Sequence, residues 1–574
     1  MMFSTSCRGF SCLAHGVLAR LLLLLSFRLV SRQLSPFVLT VSFVLSFSSS
    51  LLFAQGPALS IDSHSELRAK TMNFDADIIV VGAGAAGLGA ASELQSLGYK
   101  VAMLEARERI GGRVHTLYDG EQAIEIGANW LHGQSDNPLV ALAKQQGHRL
   151  SKPTDWGDSL SYDEYGEEIE DTEDLSDRWY EVVAKYIEQY LEREPNASMQ
   201  MLMDDAQKSG DLGFVSDDLH NLFINFMYEQ DWAADAAELS VQSEMDGEDY
   251  RGGDPIPLGG FQAILDPLSK NVDVQLARQV NAVQQLEDSV EISYSYQGQT
   301  QLMRAKRVLI TVPVSILQAG KIRFSPELSA RKRDAITLLG MGHLNKVWLK
   351  FPEVFWDDEQ AFLRVSPEKD RFSLWLNVHH VSQQPYLLAL STATQLEAGS
   401  DAEIVEEAML ALRGMYGDEI PDPVKSYISR WQNDPFSLGA YSYLRQGGRP
   451  EHRQILAENE GLIYFAGEAS HSEFPSTVHG AYLSGLREAA KIHKNLNPGV
   501  KPLPAKTLPE FKEQGDLSEP FAEDTPKKIS DHEAKINLEQ GEKTPVLEAK
   551  QEQEKPPKAE DFEAIALDKE GELQ

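Results

Sequence analysis

Cysteine is almost missing from this chain. Only Cys7 and Cys12 occur in 574 residues, and both precede the segment that reads as folded. A disulfide framework or a cysteine-ligated metal centre is thereby excluded from the folded part. The sequence has no HExxH, CxxC or paired-histidine spacing either, so no metal is expected. Positive charge is scarce: 53 Lys and Arg stand against 87 Asp and Glu, a net charge of −34. Such a surface repels nucleic acid and attracts cations, which argues against a nucleic-acid partner and admits small polycations. The same acidity also serves solubility.

Acidic residues are absent from the amino terminus, where Arg8, Arg20, Arg28 and Arg32 surround a run of five leucines. Residues 34–54, LSPFVLTVSFVLSFSSSLLFA, follow as a long apolar stretch. Residues 1–55 therefore read as an export signal, cleaved after Ala54 or kept as an anchor, since about 20 apolar residues span a bilayer. The expectation is an exported protein with possible membrane association through 34–54; translation from Met72 would make it cytoplasmic. From about 72 to 497 strands and helices alternate with short Gly and Pro punctuation, an α/β pattern. Residues 498–574 are rich in Lys, Glu, Pro and Gln without apolar periodicity, and are expected to form a disordered charged tail.

Residues 77–81, DIIVV, read as a buried parallel strand and run straight into GAGAAG, with Gly82, Gly84 and Gly87. The first glycine permits a tight turn, the second lets a pyrophosphate approach the backbone, and the third brings helix and strand together. A helix, LGAASELQSLG, then points its positive end at the phosphates, and a second strand, KVAMLEA, ends at Glu105, the distance at which an acid reaches ribose hydroxyls. A lone GxGxxG says little. Strand, glycines, helix, strand and acid in register specify a dinucleotide site, leaving FAD or NAD to be chosen.

The continuation decides between them by resemblance. RERIGGRVHT, with Arg113, and IEIGANWLHG at 124–133, with Gly127, Ala128, Asn129 and Trp130, resemble the flavin-containing amine oxidase family. The resemblance continues through LARQVNAVQQLED at 276–288, RVLITVPVSIL at 307–317, LGMGHLNKVWLKF at 339–351, RWQNDPFSLGAYSY at 430–443 and YFAGEASHSEFPSTVHGAYLSGLREA at 464–489. It implies non-covalent FAD, with Arg113 near the phosphates, the backbone around Val280 at the adenine, and Glu468 at the ribityl chain or phosphate. The GANW segment would run beside the flavin, as would Thr477 and Val478, and 430–443 would supply an aromatic-rich strand there. Polyamine oxidases, including spermine oxidases, and lysine-specific histone demethylases are the nearest groups. Monoamine oxidases look more distant, because the cysteine that carries their flavin would fall near Ala440.

Amine oxidation moves a hydride equivalent from the α-carbon to flavin N5, and the protein must orient the substrate and favour its neutral nitrogen. By resemblance, Lys346 is the lysine that holds a water at N5; read alone, it would be a strand lysine on the surface. His132 sits where animal-type polyamine oxidases carry a histidine and plant-type ones a glutamate, and either binds a substrate nitrogen or is structural. Tyr441 should form one wall of an aromatic slot. Thr477 replaces the slot's second aromatic, which favours a wide pocket. Acidic runs at 163–177 and 244–250 read as solvated faces that can steer a polycation.

The expected architecture is α/β: a Rossmann-like FAD domain of the glutathione-reductase type, from 72–150, 251–320 and 430–497. It interleaves with a substrate domain of mixed sheet and helices from 151–250 and 321–429. The expected reaction takes a small amine, a polyamine by preference, and O2, and gives aldehyde, amine and H2O2. Three rivals remain: an L-amino-acid oxidase, histone demethylation, which the lack of a coiled-coil insertion disfavours, and a flavin-binding scaffold without turnover.

Overall fold

The computed structural model describes residues 74–366, 371–393 and 396–499. The 1–55 segment, with both cysteines and the 34–54 run, lies outside them, as do Met72 and the tail beyond Gly499. Among the described residues no helix is long and apolar enough to cross a membrane.

The β-branched run Ala76–Val81 is buried throughout except at Asp77, which is what a strand covered on both faces requires. It pairs in parallel with Val101–Leu104 on one side and Gln299–Ile310 on the other. The full sheet has eight strands, ordered 323–325, 279–285, 290–296, 299–310, 76–81, 101–104 and 273–275, with 463–465 also on 299–310. Its antiparallel limb, Gln279–Ile310, has alternating burial, so one face there meets solvent. Arg323–Ser325, just past the stretch expected to bind FAD, adds an edge to this sheet.

Two helices lie together against the parallel limb, Ala85–Ser96 and Val478–Leu496. They approach so closely that a Cβ on Gly485 would stand 2.1 Å from the Ala86 carbonyl oxygen. Any larger residue at Gly485 forces the helices apart.

A second, mixed sheet of six strands runs in the order 425–428, 345–350, 386–391, 374–377, 361–364 and 159–162, antiparallel except for the last pair. Helix Asp401–Tyr416 covers one face, held at its start by a capping box between Ser400 and Glu403. Trp375, Phe362 and Phe351 are fully buried beneath it, each contributing about 1.5–3 kcal/mol by burial. A helical layer follows the first strand of this sheet in sequence: Thr172–Arg193, Met199–Ser209 and Asp217–Ile224, packed around Trp179. Its last helix ends in a π turn, Asn225–Glu229, which inserts an extra residue before Gln230–Trp232.

The expected strand at 430–443 is mostly turn. Only Ser442–Leu444 is extended, pairing with Leu339–Met341. Asp434–Pro435 and the left-handed conformations of Leu438 and Gly439 interrupt any longer ladder.

Candidate active site

At the glycine loop, a Cβ on Gly87 would sit 2.0 Å from the Gly82 carbonyl, so only glycine lets the helix settle on the turn. Gly84 differs, because a Cβ there meets nothing nearer than 4.0 Å. The helix beginning at Ala85 has neither a side-chain cap nor an acid in its first turn, so its leading N–H groups lack side-chain acceptors. Glu105 is buried and accepts from the Ala83 N–H at 2.7 Å and the Arg107 N–H at 2.8 Å. Beside it opens a cavity of about 650 Å³ bordered by Arg107, Arg109, His115, Ile126, Ser429 and Trp431. Burial and the neighbouring Arg107 lower the Arg109 pKa to about 10, and burial with Arg109 lowers that of His115 to about 4, which keeps it neutral. Val280 is buried in its strand at the opposite side of the sheet from Val101–Leu104.

Lys346 is the second residue of strand Asn345–Lys350 and is 4% exposed. Its Nζ donates to the Gly127 carbonyl and to Asn129 Oδ1 at 3.3 Å, and lies 5.8 Å from the Trp130 ring centre. Its own backbone N–H is held by Ser429 Oγ at 2.8 Å, at the edge of the 650 Å³ cavity. Burial pushes the amine pKa down, and among the described residues the charge acting against that is Glu125. Glu125 is itself buried, hydrogen-bonded by the Thr116 hydroxyl at 2.9 Å and the Phe261 N–H at 2.6 Å, and burial pushes its pKa up. Ala128 donates to the Arg113 carbonyl at 3.2 Å, and Trp130 donates to Thr154 Oγ1 at 2.9 Å. An aromatic ladder runs from Trp130 to Trp156 and on to Phe226 in the π turn, with centroids 5.7 and 6.1 Å apart.

His132 is separate from this pocket. Its Nδ1 meets Asp254 Oδ2 at 2.9 Å, while the other oxygen of Asp254 accepts from the Gly133 N–H at 2.8 Å. Burial opposes a charge on His132, but 48% of its side chain is open to water, so the Asp254 carboxylate prevails and raises its pKa. Asp231, two residues past the π turn, lies within electrostatic reach of His132, Asp249 and Asp254. Although Asp231 is solvent-exposed, partial desolvation and then the Asp249 carboxylate raise its pKa, and no hydrogen bond or ion pair engages its carboxylate among the described residues. The Tyr441 hydroxyl donates to the Gln230 carbonyl at 2.8 Å, and its pKa is raised by burial and then by Asp231. Thr477 caps the last helix, its hydroxyl accepting from the Gly480 N–H at 2.9 Å and donating to the Phe474 carbonyl at 3.0 Å; Val478 is the first helical residue. Next to it His479 is 3% exposed, and burial lowers its pKa to about 3.

Glu468 ties these parts together. One oxygen pairs with Arg113 at 2.8 Å, and the other accepts from the Ser442 hydroxyl and the Ser476 N–H. Arg113 also donates to the Ala440 carbonyl at 2.8 Å. Ser442 Oγ in turn accepts from Arg453, which is fully buried and forks onto Asp246 at 2.7 and 2.9 Å. Burial works to raise the Glu468 pKa, but Arg113 and Arg453 outweigh it and hold the carboxyl below its ordinary range.

The model of the flavin containing amine oxidoreductase family matches residues 85–493. The chain belongs to that family. A lysine-specific histone demethylase 1 homolog 2 of Arabidopsis thaliana is 34% identical over 73% of this chain and 58% of its own. A probable polyamine oxidase 4 of the same plant is 32% identical over 74% of this chain and 88% of its own. The chain thus spans little more than half the length of the demethylase relatives it matches. Among solved structures, putrescine oxidase bound to putrescine superposes with a TM-score of 0.60 at 22% identity, over 73% of this chain and 99% of that one, which shows the shared fold.

The cofactor of this family member is FAD, and the residues present fit it. The uncapped helix end and the open side of Gly84 leave room for a phosphate near the Glu105 carboxylate, and Arg109 lines the adjoining cavity, where the Arg107 guanidinium is paired with Asp434 at 2.6 Å. Having no cysteine beyond Cys12, the chain cannot attach the flavin through sulfur. The sequence-predicted residues divide into the glycine loop with Glu105, the Lys346 pocket with the GANW segment, and the open group of His132 and Tyr441. Sequence reasoning missed Asp231, Asp254, Glu125 and Arg453. Glu125 lies inside the recognised segment 124–133 and Asp254 just past the acidic run 244–250, so both could have been asked about; nothing in the sequence marked Asp231 or Arg453.

Proposed function

We propose that this protein oxidises polyamines, with O2 taking the electrons to give an aldehyde, a shorter amine and H2O2. In this reading the eight-stranded side holds FAD and the six-stranded side with its helices presents the substrate. The bound flavin supplies the hydride acceptor; the chain's residues bind, orient and set proton positions. The observation carrying the reading is the unengaged Asp231 carboxylate, grouped with Asp249 and Asp254 beside Tyr441 and His132. Such a group attracts an ammonium remote from the reacting nitrogen, and an amine with one charge cannot use both ends. Lys346, short of charge through burial, lies at the dry end, where a neutral amine is favoured. Arg113 and Glu468 would hold the cofactor's phosphate and ribityl side, with Thr477 and Val478 at the helix start beside the ring.

The likeness to histone demethylases supports a second substrate, a methylated lysine on a basic peptide. One experiment separates these readings: purified full-length chain is assayed for flavin bleaching and peroxide release. The panel is spermine, spermidine, acetylated polyamines, benzylamine, L-amino acids and a dimethyl-lysine histone peptide. Turnover confined to polyamines is expected. Turnover of the peptide alone transfers the assignment to demethylation, bleaching by amino acids alone makes it an amino-acid oxidase, and no bleaching by any of them leaves a flavin-binding scaffold.

A further inference from the structure

Lys346 and Glu125 lie on two segments that meet: Nζ donates to the carbonyl of Gly127, two residues beyond Glu125, and the indole of Trp348, two residues beyond Lys346, donates to the Glu125 carbonyl. From the flanking strands Lys346 meets Leu390 and Ser429, and from the 126–130 segment the Gly127 carbonyl, Asn129 and Trp130, none of them charged. Glu125 faces Thr116 across its hairpin and takes the Phe261 N–H, and its backbone carbonyl accepts from Trp348 Nε1 at 3.1 Å. Among the described residues the exposed Tyr118 hydroxyl also feels it. No ion pair closes within 4.0 Å between the two side chains. A buried lysine and a buried glutamate so placed each disfavour their charged form, while their attraction favours both charges together.

We propose that Glu125 and Lys346 hold one proton between them, with Glu125 the positioning residue that sets the charge of Lys346. Glu125 does not reach substrate; it acts through the amine. Thr116 and Phe261 fix the carboxylate so that its field falls on Nζ, and the wall of Gly127, Asn129 and Trp130 keeps Nζ from turning away. Replacing the carboxylate by an amide of the same shape leaves Lys346 with burial and no counter-charge. Its proton is then lost at lower pH. Whether the reaction needs the amine or the ammonium, the corresponding limb of the pH profile moves in that one direction. The inference rests on the reading of Lys346 as the lysine beside the flavin.

The test uses the full-length holoenzyme. Infrared difference titration of ¹³C-glutamate-labelled wild type is expected to show a protonated glutamate carboxyl that titrates across the same interval as the pH limb of flavin reduction by spermine. Glu125→Gln should remove that band and shift the limb about 1 pH unit or more downward, and Glu125→Asp should restore it most of the way. A carboxyl that stays ionised across the whole range overturns the proposal without any variant having to fold. So does a limb unmoved in Glu125→Gln. If Lys346→Met erases the limb while Glu125→Gln leaves it in place, only this inference fails; if the limb survives Lys346→Met, the reading of Lys346 fails as well.

Discussion

Two buried glutamates, Glu468 and Glu125, are 4% and 2% exposed, yet their surroundings drive them in opposite directions. Glu468 has Arg113 against one oxygen and, through Ser442, Arg453 behind the other, and stays ionised. Glu125 has a hydroxyl, one backbone N–H and a lysine that is itself starved of water, and burial wins. Depth does not decide charge here; the number and permanence of the cationic partners do. An arginine cannot give up its proton to relieve the cost, whereas a lysine can. The Glu468 node is therefore built to hold a fixed charge and the Glu125 node to exchange one.

That contrast can be broken most forcefully at Lys346. Lys346→Met should slow flavin reduction about 10²–10⁴-fold in stopped-flow measurements while costing little stability, because Glu125 can protonate once its partner is gone. Arg453→Met should do the reverse. It strands Asp246 and weakens the hold on Glu468, costing about 3–5 kcal/mol, seen as a lower melting temperature and FAD loss on dilution. Equal loss of stability in the two variants would erase the distinction.

Asp231→Asn sharpens the comparison from outside both nodes, because this acid has no fixed partner. It should raise KM for spermine about tenfold, worth about 1.4 kcal/mol, and leave kcat nearly unchanged. The Asp231 pKa is raised above the ordinary aspartate value, so wild-type KM should climb as pH falls through the acidic limb, and the variant should lose this dependence. A flat wild-type profile counts against Asp231 as the cation anchor.

A smaller effect concerns stability and pH. Burial lowers the pKa of His479 to about 3, and of His471 and His115 to about 4, from an unfolded 6.5. The unfolded chain binds more protons between those values, so melting temperature should fall as pH drops below 6.5. His479→Phe should flatten part of that slope. Smallest of all, Thr477→Val removes the cap of the last helix and should cost about 1 kcal/mol by denaturant unfolding; a larger loss would mean that the hydroxyl does more than hold Gly480.

The nucleotide end was legible because its signal is local: strand, glycines, helix and acid follow one another within 30 residues. Lys346 was legible only by resemblance, since nothing in HLNKVWLKF shows that Nζ turns inward to Gly127. Arg453 and Asp246 lie 207 positions apart, and no periodicity connects them. The stretch 430–443 misled, because the resemblance implied an aromatic-rich strand whereas its Asp-Pro and Gly positions impose turns.

The π turn at Asn225–Glu229 has an evolutionary side. Each helical residue rotates the chain by about 100°, so the extra one determines the direction in which Asp231 faces. Losing a single codon there would turn the acid away from Asp249 and Asp254 while leaving the glycine loop and Lys346 in place. If Asp231 anchors the substrate as proposed, substrate preference can change by indel, in one step, with the flavin side untouched.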